Sequence, residues 1–152
     1  MATQQFPFYE ETTILFHALN TFDFERLDAM IDQDAGAVMN TGTESSIHSS
    51  RDEWAAFLKE QYGLMKETTG KTDIKITEYR GDISDKTGWS FVKFARRIEL
   101  GADTERKYYV ATIIWRLTPE GAKVVRIHVS PDHVEIDEAK RSDKERRYIY
   151  PF

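Results

Sequence analysis

The sequence predicts a single α+β domain, with helices in its first half and antiparallel strands in its second. Up to about residue 70, apolar residues recur at spacings of three and four, the period of a helix that buries one face. From residue 72 the period changes to two, which is the alternation of a half-buried strand. Helices followed by a run of strands are typical of the α+β class.

Two helices are predicted at the start of the chain. In FYEETTILFHALNTF, Leu15 and Phe22 fall on one helical face, and Pro7 suits the first turn because its missing N–H has no partner there. In DFERLDAMID, Asp23 can cap the second helix by accepting a hydrogen bond from its first turn. A short extended segment at 38–41 follows, between two glycines.

The third helix has the clearest start signal. Ser50 and Glu53 have the spacing of a capping box, in which each side chain accepts a hydrogen bond from a backbone N–H near the other residue. An apolar stripe at helical spacing follows, which predicts a helix that packs against the rest of the domain. The stripe consists of Trp54, Phe57, Leu58, Tyr62 and Met65.

Four strands are predicted after the third helix. They are DIKITEY, TGWSFVKFARRIEL, RKYYVATIIWRL and AKVVRIHVS, and turns at GADTE and TPEG join the last three. Residues 1–134 therefore form one domain by this prediction. Residues 135–152 form a charged C-terminal tail, for which we expect packing on a partner subunit, a helix or a segment without fixed structure.

Composition excludes several classes of protein. The net charge is -5 over 152 residues, whereas a nucleic-acid surface needs a concentrated basic stripe. Cysteine is absent, so the chain has neither a disulfide nor a thiolate metal site. No apolar run approaches the roughly 20 residues that span a bilayer, and the N-terminus lacks the pattern of a secretion signal. We therefore expect a cytoplasmic protein that binds neither nucleic acid nor membrane.

Three segments, in this order, resemble the nuclear transport factor 2 (NTF2)-like superfamily, also called SnoaL-like or ketosteroid isomerase-like. They are NTFDFERLDAMIDQDAGAVM, GTESSIHSSRDEWAAFL and VATIIWRLTPEGAKVVRIHVS. The last segment is similar to the association domain of calcium/calmodulin-dependent kinase II, in which a comparable hairpin ends in alternating His residues and Ser. The resemblance covers roughly residues 8–132.

The resemblance implies a cystatin-like curved antiparallel sheet wrapped around the N-terminal helix, with the order α-α-β-α-β-β-β-β. Such a sheet forms a cone whose open end is a pocket and whose outer face commonly makes a homodimer. The superfamily contains isomerases, dehydratases, polyketide cyclases and epoxide hydrolases, and also non-catalytic binding and assembly domains. The fold therefore leaves function open.

The catalytic groups of a ketosteroid isomerase do not align with this sequence. The resemblance puts Asn40 where the carboxylate base of that branch stands, and an amide cannot take up a proton at neutral pH. Ile113 stands where the oxyanion-hole acid is expected, and Leu15 or Phe16 replaces the tyrosine of the first helix. Steroid-type isomerisation is disfavoured, whereas other general acid–base lyase or isomerase chemistry stays open.

The last strand supplies the main candidate site. Alternation places Val125, Ile127 and Val129 on one face, and Arg126 and His128 on the other. We predict that Arg126 and His128 form the polar floor of the cone pocket and that His128 is the catalytic candidate, because imidazole titrates near neutral pH. The alternative is a polar face that only completes hydrogen bonds and ion pairs at the rim.

Arg96 and Arg97 are adjacent in a strand, so they point to opposite faces and one of them faces inward. A guanidinium in the pocket suits a carboxylate ligand. The alternative is a surface ion pair with Glu99 or Glu105.

The predicted pocket-lining set combines polar and aromatic residues from several elements. Tyr108 or Tyr109 is a further acid–base candidate. The alternatives are an exposed loop position for His48 and simple core packing for the aromatic residues. The set is Asn40, His48, Trp54, Tyr62, Arg96, Trp115, Arg126 and His128.

We expect no cofactor and no metal, because HVSPDH brings two histidines and an aspartate together without a metal-ligand spacing. Two functions remain. The first is a SnoaL-like small-molecule-binding protein, or a cyclase- or dehydratase-like enzyme, whose ligand is a small organic anion or carbonyl compound. The second is a non-catalytic homo-oligomeric association domain, at least a homodimer, with a vestigial pocket.

Overall fold

A computed structural model describes residues 6–40, 45–68 and 72–132, and within them every side chain except those of residues 40, 65–68 and 100. The predicted α+β class is confirmed. The described part of the chain contains one element more than predicted, the short strand β2, in a segment that we expected to be a loop. The elements are α1 (Tyr9–Thr21), α2 (Phe24–Met30), β1 (Ile31–Asn40), β2 (Ser45–His48), α3 (Arg51–Thr68), β3 (Thr72–Ser84), β4 (Thr87–Leu100), β5 (Asp103–Thr118) and β6 (Gly121–Pro131).

The strands form one six-stranded sheet in the order β2-β1-β6-β5-β4-β3. Strands β3 to β6 make an antiparallel meander, as predicted, because tight turns join successive strands. Strand β1 runs parallel to β6, so the sheet is mixed and not wholly antiparallel. This pairing places the first strand of the chain beside its last described strand.

The starts of α2 and α3 follow the capping signals in the sequence. The Asp23 side chain accepts a hydrogen bond from the Arg26 backbone N–H at 3.2 Å, at the start of α2. At α3 the Glu53 N–H donates to the Ser50 hydroxyl at 3.2 Å, and the Glu53 carboxylate accepts from the Ser49 N–H at 3.1 Å. The predicted capping box is therefore present, although its return bond goes to Ser49.

Helix α1 lies across one face of the sheet, which we call the inner face; the opposite face is the outer face. The Phe8 ring stacks on Trp115 with centroids 5.5 Å apart, and the Phe16 ring packs on Phe94 at 4.6 Å. Leu15 is fully buried beneath the helix. These contacts fix the helix along the strands and build the core on the inner face.

A buried polar cluster ties the start of α1 to the sheet. Ser90, fully buried on β4, accepts a hydrogen bond from Trp115 Nε1 at 2.9 Å and shares another with the Tyr79 hydroxyl at 2.8 Å. The Tyr79 hydroxyl also donates to the Pro7 carbonyl, and the Thr12 hydroxyl lies 3.4 Å from that of Ser90. We call Thr12, Tyr79, Ser90 and Trp115 the Ser90 cluster. Burial raises the pKa of the Tyr79 phenol above its ordinary value.

None of the helices in the described ranges is both long and apolar enough to cross a bilayer. The cytoplasmic location stays a prediction. The predicted C-terminal tail, residues 135–152, lies outside the described residues, and so does its predicted packing on a partner subunit.

Candidate functional site

A cavity of about 130 Å³ opens on the inner face of the sheet, between α1, α3 and strands β1 and β3 to β6. We call it the cone cavity. Its wall is mainly aromatic and aliphatic, with a few polar side chains among the apolar ones. The apolar lining consists of Phe16, Leu19, Phe22, Met39, Phe57, Leu58, Ile74, Phe94 and Val129, and the polar lining of Asn20, Gln61, Arg96 and Tyr109.

The secondary structure explains why these residues converge. Phe16, Leu19 and Asn20 lie at spacings of three and four on α1, so one helical face supplies all three. The chain then turns at Phe22, which adopts a left-handed φ of 54° as the C-cap of α1, while its ring lines the cavity. A phenylalanine with positive φ is uncommon, and the strain is accepted where the turn must be tight.

Arg96 is the charged residue of the cone cavity. It lies on β4 two positions after Phe94, so both side chains point to the inner face. Removal from water lowers the pKa of Arg96 below its ordinary value, and the neighbouring Tyr109 partly opposes this shift. A guanidinium remains protonated at neutral pH even so, and the cavity therefore contains a poorly hydrated positive charge.

Tyr109 completes the polar side of the cavity. It is buried on β5 opposite Phe94, and the two rings stack with centroids 5.4 Å apart and planes at 21°. Asn20 is already committed, since its side chain donates to the Thr72 carbonyl at 3.0 Å and accepts from the Thr72 hydroxyl at 2.7 Å. Arg96 and Tyr109 are thus the polar groups of the wall best suited to a ligand.

Arg97 points to the outer face, as alternation requires, and forms an ion pair with Asp73 at 2.6 Å. The alternative of a surface ion pair thus holds for Arg97, but its acid is Asp73 and not Glu99 or Glu105. Arg97 has the same side chain as Arg96 and is the next residue of β4, but it lies outside the cavity. It is therefore a suitable control for substitutions of Arg96.

The prediction that Arg126 and His128 form the floor of the cone pocket is wrong. Both side chains are exposed on the outer face of β6, while Ile127 and Val129 face inward and are buried. A bulge skips Val125, because Trp115 pairs with Val124 and Ile114 pairs with Arg126, and it brings Val124 to the same buried face as Ile127. The apolar face of the strand supplies the cavity, as the hydrophobic effect favours.

The predicted aromatic residues also lie away from the cavity. Trp54 and Trp115 are fully buried in the core, where Trp115 belongs to the Ser90 cluster. Tyr62 is 41% exposed on α3, and its ring packs against Phe22 at 5.2 Å and Phe24 at 5.9 Å. The core-packing alternative describes the two tryptophans correctly, and Tyr62 lies behind the cavity wall formed by Phe22.

His48 is buried on β2 and is not an exposed loop residue. Its ring packs on Phe57 with centroids 4.5 Å apart, and its Nε2 lies 2.9 Å from the Ser46 hydroxyl. The ring therefore lies on the inner side behind Phe57 without lining the cone cavity, and only the His48 carbonyl oxygen approaches Gly36, in a cleft on the outer face that also contains Arg126 and His128. The side chain of Asn40, another predicted pocket residue, lies outside the described residues.

The sequence contained a signal for Phe94, which we did not select, and Tyr109 was named only as an alternative to Tyr108. Phe94 precedes Arg96 by two positions, so it shares the same face of β4. Tyr109 lies opposite Phe94 in the β4–β5 hairpin, whereas Tyr108 points outward. Of the described cavity residues, none is a histidine or a carboxylic acid. The described part of the chain also contains no group of acidic, histidine or cysteine side chains able to hold a metal ion.

No family model matches the sequence, and no curated protein does. Solved structures do match. A protein from Streptomyces avermitilis, described as a candidate dehydratase of the NTF2-like family, superposes with a TM-score of 0.64 at 20% identity over 80% of this chain and 90% of that chain. The calcium/calmodulin-dependent kinase II hub of S. rosetta gives 0.65 at 12% identity over 81% and 92%. An NTF2-like protein with a cystatin-like fold from Novosphingobium aromaticivorans gives 0.60 at 15% identity over 89% and 80%.

The chain has the NTF2-like fold. The resemblance seen in the sequence is thus confirmed at the level of the fold, including its similarity to the kinase hub domain. The residues that align with the oxyanion-hole acid and the first-helix tyrosine of an isomerase are apolar, and all of them, Ile113, Leu15 and Phe16, are buried in the core. At these identities the comparisons say nothing about the reaction, so the chemistry of the cavity has to carry the functional argument.

Proposed function

We propose that this NTF2-like chain binds a small organic anion in the cone cavity, specifically a monocarboxylate with a single ring or a short apolar body. The observation that carries the proposal is the position of Arg96, a desolvated guanidinium in a wall that is otherwise almost wholly apolar. The carboxylate lies against Arg96, and the apolar body lies among the aromatic side chains.

The size of the cavity supports a small ligand. Its volume is about 130 Å³. An apolar cavity of about 150 Å³ accommodates benzene, whereas drug-sized ligands occupy roughly 300 Å³ or more. Rings from α1, α3 and β4 (Phe16, Phe57 and Phe94) border the space and can contact an aromatic ligand edge-to-face or stacked.

The charge of the cavity supports an anion. A guanidinium presents a planar fork of N–H donors that matches a carboxylate, and such a pair is stronger where water is excluded. Desolvation disfavours the charged form of Arg96, and an anion beside the guanidinium favours that form again. The Tyr109 hydroxyl can donate a further hydrogen bond at the same side of the cavity.

The proposal is for binding and not for turnover. Dehydration and isomerisation need a base that removes a proton from carbon, usually a histidine or a carboxylate. The described wall of the cavity offers neither, and His128, our predicted catalytic residue, lies on the opposite face. The described wall of the cone cavity therefore lacks the base that a dehydratase reaction needs, although one neighbouring structure is described as a dehydratase.

Calorimetric titration with benzoate tests the proposal. We expect wild-type protein to bind benzoate, Arg96→Gln to weaken binding at least about tenfold through loss of a charge-assisted pair, and Arg97→Gln to bind as wild type. Toluene, which has no charge, should bind wild type and Arg96→Gln alike, which shows that the variant cavity is intact. Equal benzoate affinity in wild type and Arg96→Gln, or no binding to wild type, contradicts the proposal.

A second function has its own support. Trp89 and Ile114 are cross-strand neighbours on the outer face, 42% and 38% exposed, which is unusual for large apolar side chains on a sheet. Two structural neighbours are described as the hub and the association domain of calcium/calmodulin-dependent kinase II. We propose that a second copy of this chain covers this patch, so that the protein is a homodimer.

Sedimentation analysis tests the dimer. Wild type should sediment as a dimer at micromolar concentration, and the double variant Trp89→Glu, Ile114→Glu as a folded monomer. The control Ile83→Glu replaces a residue of similar exposure (46%) near the β3–β4 turn and should leave the dimer intact. A monomeric wild type, or a dimer that survives the double substitution, refutes this interface.

A further inference from the structure

A second cleft lies on the outer face, over strands β1, β2, β5 and β6, and it is larger than the cone cavity, at about 530 Å³. It contains the two residues that the sequence wrongly placed inside the cone. Its polar lining consists of His48, Ser49, Thr112, Arg126 and His128, and its apolar lining includes Val38, Ile47 and Ile114. We call it the outer cleft.

Arg126 is held in position within this cleft by the backbone. Its Nη1 donates to the Asp34 carbonyl at 2.6 Å and to the Val125 carbonyl at 2.7 Å. These bonds use one guanidinium nitrogen, so Nε and Nη2 keep their donors for another acceptor. Within the described ranges no carboxylate lies within ion-pair distance of Arg126, and Asp34 meets it through its carbonyl.

Gly36 explains how the arginine side chain lies along the sheet. A Cβ at this position would lie 3.2 Å from the His48 carbonyl oxygen, 3.6 Å from Arg126 Cδ and 3.7 Å from Arg126 Nε. A side chain there would press against β2 on one side and against Arg126 on the other. The glycine thus keeps β2 close while leaving the guanidinium stem its place on the cleft floor.

The neighbouring groups complete a set of hydrogen-bond donors. His128 pairs with Thr112 across β5 and β6, and with Val38 across β6 and β1, so it stands in the middle of the cleft. Two hydroxyls and the imidazole of His128 therefore lie beside one fixed guanidinium, whereas the His48 ring packs on Phe57 on the inner side, and no acidic side chain is among the lining residues. Several donors converging on one cation without a carboxylate are suited to a tetrahedral oxyanion.

We propose that the outer cleft binds an organic phosphate monoester, with its phosphate on Arg126, His128 and the adjacent hydroxyls and its organic group on Ile47. Ile47 is 74% exposed at the edge strand, so the organic group covers apolar surface that is otherwise in water. This site is independent of the cone cavity, because Arg96 lies on the other face of the sheet.

Amide chemical-shift titration tests the proposal on the full chain, with inorganic phosphate and phenyl phosphate as probes. Both should give saturable shifts at residues 36–38, 47–49 and 126–128, and phenyl phosphate should bind more tightly because of its ring. Arg126→Gln should weaken both probes at least about tenfold. The controls Arg80→Gln, an exposed arginine on β3, and Arg96→Gln should leave these shifts unchanged.

Three results with wild type and Arg126→Gln overturn the proposal: no saturable shifts in wild type, equal affinity in Arg126→Gln, or inorganic phosphate binding as tightly as phenyl phosphate. The last outcome indicates a site for the free ion. Shifts that appear only in a monomeric Trp89→Glu variant, which leaves the residues of the outer cleft in place, also overturn it, because a second copy then fills the cleft. Failure of benzoate to bind at Arg96 leaves these outcomes unaffected, so the two proposals fail separately.

Discussion

Substitution of Ser90 with alanine tests whether the Ser90 cluster anchors α1 to the sheet. Ser90 is fully buried and is the acceptor for Trp115 Nε1 at 2.9 Å. Alanine leaves this buried indole N–H without an acceptor, which costs about 1–3 kcal/mol. The Tyr79 hydroxyl keeps its bond to the Pro7 carbonyl, so its donor stays satisfied and adds little to the loss. We therefore expect a free energy of unfolding lower by about 2 kcal/mol.

The loss should be measured by urea denaturation followed by circular dichroism, with Ser84→Ala as the control. Ser84 is exposed near the β3–β4 turn, where substitutions usually change stability by less than about 0.5 kcal/mol. For a domain of this size, a loss of about 2 kcal/mol lowers Tm by about 4–8 °C. If Ser90→Ala is within about 0.5 kcal/mol of wild type, the cluster does not anchor the helix and the reasoning is refuted.

Two further predictions concern stability. Because burial raises the pKa of Tyr79, its stabilising contribution is complete below the ordinary phenol pKa of 10.0 and is lost as pH rises through the folded-state value. The urea midpoint of wild type should thus fall more steeply above pH 10 than that of Tyr79→Phe, and parallel profiles would contradict this. Gly88→Ala should destabilise by about 2 kcal/mol or more, because the new Cβ would lie 2.6 Å from Phe8 Cζ and 2.7 Å from the Asp82 carbonyl oxygen. Gly63→Ala, with nothing within 4 Å on helix α3, should stabilise by about 0.5–1 kcal/mol, and thermal melts that rank the two variants in the opposite order would refute the packing argument.

Much of the fold follows from local signals in the sequence. The capping residues Asp23 and Ser50 mark the helix starts correctly because their side chains satisfy backbone donors that the helix itself leaves unpaired. The two-residue period beyond residue 72 identifies β3 to β6 because one face of each is buried. Such signals depend only on neighbours along the chain.

Strand β2 was not predictable in this way. It is four residues long, and its stability comes from pairing with β1, in which Val38 faces Ile47 and Ala37 faces His48. The segment SSIH has no clear alternation of its own, so a polar loop is the natural interpretation. Similarly, Ile31 fits the helical period of α2 but begins β1, because the parallel pairing with Val124 outweighs the helical pattern.

For the candidate site, too, local patterns predicted part of the arrangement and contacts between distant segments decided the rest. Alternation established that one of Arg96 and Arg97 faces inward, but only the register with the rest of the sheet shows that it is Arg96. For Arg126 and His128 we favoured the polar face as the pocket wall, whereas burial of Ile127 and Val129 decides the orientation of the strand. When a strand has one polar and one apolar face, the polar face is therefore better predicted to be the outer one, unless the pairing with neighbouring strands shows otherwise.

The account depends most on a small organic anion lying inside the cone with its carboxylate on Arg96. Diffraction from crystals soaked in 4-bromobenzoate tests this directly, because anomalous scattering locates the bromine and difference density locates the carboxylate. We predict the ring among Phe16, Phe57 and Phe94, with carboxylate oxygens about 2.7–2.9 Å from the guanidinium nitrogens. A cone cavity that stays empty, or a bromine found only on the outer face of the sheet, would contradict the account.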